Sequence, residues 1–245
     1  MTTAGGKHAA VLVAHGDRGG ASPNAALRTQ AEAVRALTGL SVIAAGVLKG
    51  EPTLEDALAE AAGSGAPRIA VYPLFMADGY FMTKVRERVE ATGVSPQPDI
   101  LVPLGLDPAL PDVLVEEAAS MASREGFEPL QSRLLIVGHG SKLGPASANA
   151  TRKAAARAAI ARRFASVTTA FLEEEPFLDD VLAATRTPTV VAGFFFGEGM
   201  HAGEDVPDAI AETGATAIYT GAIGNSAAVA PLIAAALAAS FAQST

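Results

Sequence analysis

The 245 residues contain no cysteine. Without a thiol there is no disulfide, no zinc ribbon and no cysteine nucleophile. The lack of Cys also fits a reducing cytoplasm. Positive charge is in the minority: 18 Lys and Arg stand against 26 Asp and Glu, a formal net charge of −8. That balance argues against a general nucleic-acid binder. Long apolar runs are missing too. The most apolar stretch, Ala227 to Ala239, is too short to span a bilayer and contains Pro231. The opening residues, MTTAGGKHAAVLVAHGD, lack the basic start and long apolar region of a signal peptide. These features point to a cytoplasmic protein with no membrane and no nucleic-acid partner.

Nearly half of the chain, 49%, is hydrophobic, and no segment is low in complexity. Such a composition can bury a core, and 245 residues suffice for two ordinary domains. The chain is organised around Leu134-Leu-Ile-Val-Gly138-His139-Gly140-Ser141-Lys142. A short branched apolar run of this kind reads as a strand buried on both faces. The Gly-His-Gly break places an imidazole at the C-terminal end of that strand, the rim where open α/β sheets bind ligands.

In chain order the pattern alternates. Strands are read at Ala9–Ala14, Leu40–Val47, Ile69–Phe75 and Asp99–Val102. Helices are read from Ser22-Pro23 to Leu37, from Leu54 to Ala62, up to Glu90, and from Pro108 to Ala122. Ser with a following Pro is a good helix start. A polar break at 123–129 is the natural linker. The pattern then restarts, with strands at Leu134–Gly138, Val167–Leu172, Thr189–Phe196 and Ala217–Thr220, and helices at Ser147–Phe164 and Ala227–Phe241.

The restart is a repeat. His15-Gly16 matches His139-Gly140, Asn24 matches Asn149, Pro52-x-Leu-Glu-Asp matches Pro176-x-Leu-Asp-Asp, and Asp78-Gly79 matches Glu198-Gly199. The fold expected is therefore α/β, with two similar lobes related by internal duplication, 1–125 and 126–245. Each lobe is a small four-stranded parallel sheet flanked by helices, with a cleft between the two.

In the second lobe His139, Glu173 and His201 follow the first, second and third strands, so one parallel sheet brings them to one rim. Two imidazoles and a carboxylate suit a borderline divalent metal; they equally suit acid/base chemistry near neutral pH. Glu173 opens an acidic trio, and Glu174 or Glu175 is an alternative inward residue. In the first lobe His15 is kept, but Lys49 and Phe81 stand in the other two places. That is a poor metal site. It makes the first lobe the degenerate one and a source of positive charge through Arg18, Lys49, Lys84 and Arg86. The glycine pairs do not have dinucleotide-fingerprint spacing.

The motifs Leu12-Val-Ala-His15-Gly16, Val137-Gly-His139-Gly-Ser141, Ala170-Phe-Leu-Glu173 before Pro176, and Gly199-Met-His201-Ala-Gly-Glu-Asp-Val-Pro207 resemble the sirohydrochlorin chelatases of the long, two-repeat type. This family is related to the anaerobic cobaltochelatases and more distantly to protoporphyrin ferrochelatase. The resemblance covers nearly the whole chain. It implies ATP-independent insertion of a divalent metal into sirohydrochlorin, with Fe²⁺ favoured and sirohaem the product. The substrate metal is Fe²⁺ or Co²⁺, and no organic cofactor is bound. On that resemblance His139 and His201 are the metal-handling and catalytic pair and Glu173 their supporting carboxylate; the binding residues for the polycarboxylate are His15, Arg18, Lys49 and Lys142, with Arg152 and Lys153 beside them. Phe81 departs from the family's second histidine in the first repeat, which places the chemistry in the second. The rival readings are a cobaltochelatase in cobalamin biosynthesis, a non-catalytic metal or tetrapyrrole carrier, and a small-anion binder using helix N-termini. The sequence does not name protein partners.

Overall fold

The computed structural model describes residues 8–16, 23–142, 144–197, 199 and 201–243; the side chain of residue 201 is outside that set. The order is β1 (Ala9–Ala14), α1 (Ala25–Leu37), β2 (Val42–Val47), α2 (Leu54–Gly63), β3 (Ile69–Pro73), α3 (Tyr80–Thr92), β4 (Asp99–Ile100) and α4 (Leu110–Arg124). The repeat follows as β5 (Arg133–Gly138), α5 (Ala146–Ile160), β6 (Ser166–Phe171), α6 (Leu178–Ala184), β7 (Thr189–Gly193), α7 (Val206–Thr213), β8 (Ala217–Ala222) and α8 (Val229–Ala242).

Two four-stranded sheets result, ordered β2-β1-β3-β4 and β6-β5-β7-β8, with every pairing parallel. Buried runs explain this. All six residues of β1 and five of the six in β5 are buried, as a central strand covered by helices on both faces requires. Alternate residues serve opposite faces. Ala9, Val11 and Val13 join α2 and α3 residues such as Leu54, Leu58, Met82 and Val85 in one core. Leu135 and Val137 do the same with Leu178, Leu182 and Val206 from α6 and α7.

The chain folds as two compact units, one made of residues up to Asp107 together with those from Ala227 onward, the other of Pro108–Ser226. Packing thus divides the chain differently from the repeat at 125/126. The helix closing each repeat packs in the other unit: α4 on α5, β7 and β8, and α8 on α1 and β3. A repeat records duplication of a segment, whereas a unit records where apolar faces are buried. The apolar stripe of α4, with Leu114, Val115, Ala118 and Ala122 buried, is satisfied by either sheet as far as its sequence goes.

Local signals account for several boundaries. Thr53 and Asp56 form a reciprocal capping box that starts α2. Asn24, not Ser22, immediately precedes α1, and it has a left-handed backbone; Ser22 lies outside the described residues. α6 is only seven residues long, which hid it from the helical periodicity. No helix among the described residues is long and apolar enough to cross a membrane.

Candidate functional site

The two sheets end in matching rims. In the first unit the amide of Lys49 donates to the His15 carbonyl at 2.8 Å, and Leu74 donates to Val13 at 2.7 Å. In the second the amide of Glu173 donates to the His139 carbonyl at 3.0 Å, and Phe194 donates to Val137 at 2.7 Å. Beyond β2 and β6 the chain turns back alike, Val47 donating to Pro52 and Phe171 to Pro176, both at 2.9 Å. The third position follows the same count, Phe81 and His201 each lying eight residues past the end of β3 and β7. One backbone device thus presents two different sets of side chains.

Glycine makes each histidine's position possible. Gly16 has φ +101°, and a Cβ there would lie 1.9 Å from the Lys49 carbonyl oxygen. Gly140 has φ +74°, with its Cβ position 2.8 Å from Glu174 Cγ. Both sit in left-handed backbone that favours glycine.

In the second unit, His139 Nδ1 lies 3.0 Å from the Gly140 carbonyl oxygen. A carbonyl only accepts, so Nδ1 is the donor of this bond and Nε2 is the ring nitrogen on the Glu173 side. That Nε2 is 3.9 Å from Glu173 Oε1, and both side chains are about two-fifths exposed. The gap is too long for a hydrogen bond. It is shorter than about 4.2 Å, the sum of metal–nitrogen and metal–carboxylate bonds of roughly 2.0–2.2 Å each, so a single divalent ion can span it.

The acidic trio divides its work. Glu174 accepts the Ser141 amide at 3.1 Å and pairs with Arg152 at 3.3 Å. The Arg152 guanidinium in turn lies over the Phe171 ring, 4.8 Å from its centroid. Glu174 is therefore committed to holding the 139–141 turn. Glu173 is the member that faces His139, and Glu175 is exposed.

His201 begins a π-helical turn, His201–Asp205, that runs into α7. Its side chain is outside the described set, as is Arg18. Lys142 is exposed on the turn that carries Ser141. Among the described residues no three His, Cys, Asp or Glu side chains form a group able to hold a metal. Of the three residues the sequence points to at this rim, His139 and Glu173 are the two whose side chains the structure brings together.

In the first unit, His15 Nδ1 lies 3.0 Å from the Gly16 carbonyl, the same arrangement as at His139. Burial lowers its pKa below the usual imidazole value; the Gly16 bond opposes this and the charge of nearby Lys49 adds to it. His15 is consequently neutral at pH 7. The Phe81 ring meets it edge-on, with centroids 4.5 Å apart.

A cavity of about 460 Å³ between α6 and α7, floored by Phe171 and Leu172, is bordered by Asp179, Asp180, Asp205, Asp208 and Glu212. Its only sequence signal is carboxylates in the first turns of two helices, which is also ordinary dipole complementation.

A family model described as CbiX matches the chain twice, over residues 9–121 and 133–240, in step with the repeat. A protein of Halobacterium salinarum named probable sirohydrochlorin cobaltochelatase is 26% identical over 224 residues, which cover 82% of this chain and 75% of that one. The structure of CbiX, described as the terminal enzyme for biosynthesis of siroheme in denitrifying bacteria, superposes with a TM-score of 0.77 at 26% identity, over 95% of this chain and 98% of that one. SirB from Bacillus subtilis with Fe³⁺ superposes with a TM-score of 0.81 over 97% and 98% of the two chains. At 20% identity the second likeness is one of fold alone.

Proposed function

The chain belongs to the CbiX family, and on that premise we propose that it is a sirohydrochlorin chelatase: it inserts a divalent metal ion into sirohydrochlorin without ATP, with Fe²⁺ as the metal and sirohaem as the product. The observation that carries the reading is the pairing of His139 Nε2 with Glu173 Oε1 at 3.9 Å, on an imidazole whose Nδ1 proton is held by a backbone carbonyl.

The chemistry follows from those two groups. Insertion requires that the ion shed water and that two macrocycle N–H protons leave. A neutral imidazole lone pair holds a hydrated divalent ion and, once the ion has moved on, accepts a proton. Glu173 balances the ion's charge while waters depart. Both groups are partly exposed, and an open, incomplete ligand set is what a delivering site needs, since a closed four-ligand site would retain its metal. His201 is proposed as the third member, a reading supported by its position eight residues past the end of β7. Sirohydrochlorin's eight carboxylates call for cations, and His15, Arg18, Lys49 and Lys142 are proposed to receive them. No organic cofactor enters this reaction.

Cobalt is the second reading, favoured by the name of the Halobacterium relative. Imidazole and carboxylate accept both metals, so the donor set does not discriminate.

The test is metal insertion into sirohydrochlorin, followed by absorbance under anaerobic conditions with Fe²⁺ and Co²⁺ compared. Acceleration over the uncatalysed rate, abolished by His139→Ala and by His201→Ala with the fold intact, supports the reading; the faster metal at limiting concentration chooses between sirohaem and cobalt chemistry. Tight tetrapyrrole binding with no acceleration by either metal would instead make this a carrier. Near-normal rates in both histidine variants would move the site elsewhere.

A further inference from the structure

The chain has only 10 Phe and 3 Tyr and no Trp. Three of these thirteen rings gather at the rim of the first sheet. Phe81 stacks on Phe75, with centroids 5.9 Å apart and planes 15° apart. Tyr80 meets Phe81 edge-on at 5.5 Å. His15 completes the cluster from the other side, 4.5 Å from Phe81. Two of these rings are left facing water, Tyr80 at 69% exposure and Phe81 at 36%. Exposing large aromatic faces in so aromatic-poor a chain forgoes burial that folding would otherwise use.

The surrounding charge has the opposite sign to that of the second rim. Where Glu173 follows β6, Lys49 follows β2 on the same hydrogen-bonded backbone. Lys49 is exposed and close enough to His15 to help lower its pKa. Lys84 lies over the Tyr80 ring, 5.6 Å from its centroid. A divalent cation at this rim would meet one neutral imidazole, an aromatic ring in place of a second donor, and an ammonium in place of a carboxylate. A flat π-system bearing carboxylates would meet ring faces, with a cation beside them.

Building on the chelatase reading, we propose that the first unit's rim is a seat for the face of the tetrapyrrole and not a second metal centre. Phe81 and Tyr80 stack against the ring and Lys49 pairs with a peripheral carboxylate. The two rims of the duplicated fold would then have parted by charge: the second handles the cation, the first the polyanionic macrocycle. The driving terms are stacking, worth several-fold or more in affinity per ring, and an ion pair that weakens with salt.

The experiment is titration of metal-free sirohydrochlorin into the full-length protein, read by absorbance, beside titration of Co²⁺ alone. Phe81→Leu keeps apolar contact with Phe75 and removes the aromatic face; it is expected to weaken macrocycle binding about tenfold. Phe81→Trp is expected to bind within about threefold of wild type. Lys49→Glu is expected to weaken binding at least as much as Phe81→Leu, and more so at low salt. Co²⁺ binding should be the same in wild type, Phe81→Leu and Phe81→Trp. Macrocycle affinity within twofold of wild type in Phe81→Leu would overturn the proposal. So would loss of Co²⁺ binding in that variant, because Phe81 would then belong to metal handling. The chelatase reading fails separately: wild type that neither binds sirohydrochlorin nor accelerates insertion sinks both, whereas wild type that does both beside an unaffected Phe81→Leu sinks this inference alone.

Discussion

Glu174 ties down Ser141. Its Oε2 accepts the Ser141 amide at 3.1 Å while its Oε1 faces Arg152 at 3.3 Å. The first repeat has Gly50 at the matching place, so this brace belongs to the second unit alone. Ser141 is two residues from His139, so the brace holds the course of the turn whose Gly140 carbonyl meets the imidazole. Glu174→Ala is expected to lower the insertion rate about tenfold, with metal affinity reduced. Stability should fall by only about 1 kcal/mol, since the ion pair is half-exposed and contributes little. Glu174→Gln keeps an acceptor for the amide and should recover most of the rate. Equal losses in the two variants would mean that charge, not positioning, is what Glu174 supplies. Steady-state rates together with urea melts measure both quantities.

The glycines after the two histidines should differ in cost. At Gly16 a new Cβ would collide with a backbone carbonyl, Lys49 O, at 1.9 Å. At Gly140 the nearest atom is Cγ of Glu174 at 2.8 Å, which belongs to a side chain that can swing away. Both substitutions pay the strain of a positive φ, about 1 kcal/mol each. Gly140→Ala is expected to cost about 1–2 kcal/mol and to disturb the Glu174 brace, whereas Gly16→Ala should cost about 3 kcal/mol or more because backbone has to move. Urea denaturation of the two variants ranks them; a larger loss for Gly140→Ala would show that the β2 rim yields more readily than its hydrogen bonds suggest.

Much of this architecture was legible in the residues. The apolar runs of β1 and β5, the histidine after each and the matching Pro52 and Pro176 segments were enough to place two parallel sheets and the rim positions. Three things were not legible. Adjacent carboxylates look alike in sequence, and only the reach of each side chain assigns Glu173 to His139 and Glu174 to Ser141. An apolar helix face states that it needs burial and not which sheet supplies it, so the exchange of α4 and α8 between units was hidden. Asp179 and Asp208 lie far apart in sequence, each at a helix start, and their meeting at one cavity depends on how α6 and α7 pack.

His15 should titrate below its ordinary value. Burial lowers its pKa from 6.5, and Lys49 contributes in the same direction. Proton NMR of the imidazole is expected to give a midpoint under 6.5, and Lys49→Met should move it upward, because removing a cation favours the protonated ring. The linkage has a definite sign. The unfolded chain binds the proton more readily than the folded one, so this group's contribution to stability is fully present above about 6.5 and is lost as pH falls through the folded value. His15→Gln should therefore flatten the acid side of the stability profile. An unshifted midpoint, or a downward move in Lys49→Met, would contradict the placement of Lys49 beside this ring.

The charge inversion between the rims can be tested by undoing it. Phe81 stands at the register position of His201, and its ring centroid is 4.5 Å from that of His15, a separation at which two imidazoles can share one ion. Phe81→His alone supplies a second nitrogen but leaves the Lys49 ammonium beside any incoming cation. At about 4 Å a unit charge costs or gains roughly 1 kcal/mol in water and several-fold more near a protein surface, and a divalent ion doubles that. Phe81→His is accordingly expected to bind extra Co²⁺ weakly. The double variant Phe81→His with Lys49→Glu should bind a further full equivalent, which His15→Ala then removes. Both variants should bind sirohydrochlorin less well than wild type, since each gives up part of the aromatic and cationic surface. Cobalt titration followed by visible absorbance reads the stoichiometry. A double variant with no more bound cobalt than wild type would mean that the shared backbone does not bring position 81 within bridging distance of His15, and that the two rims differ in shape as well as in charge.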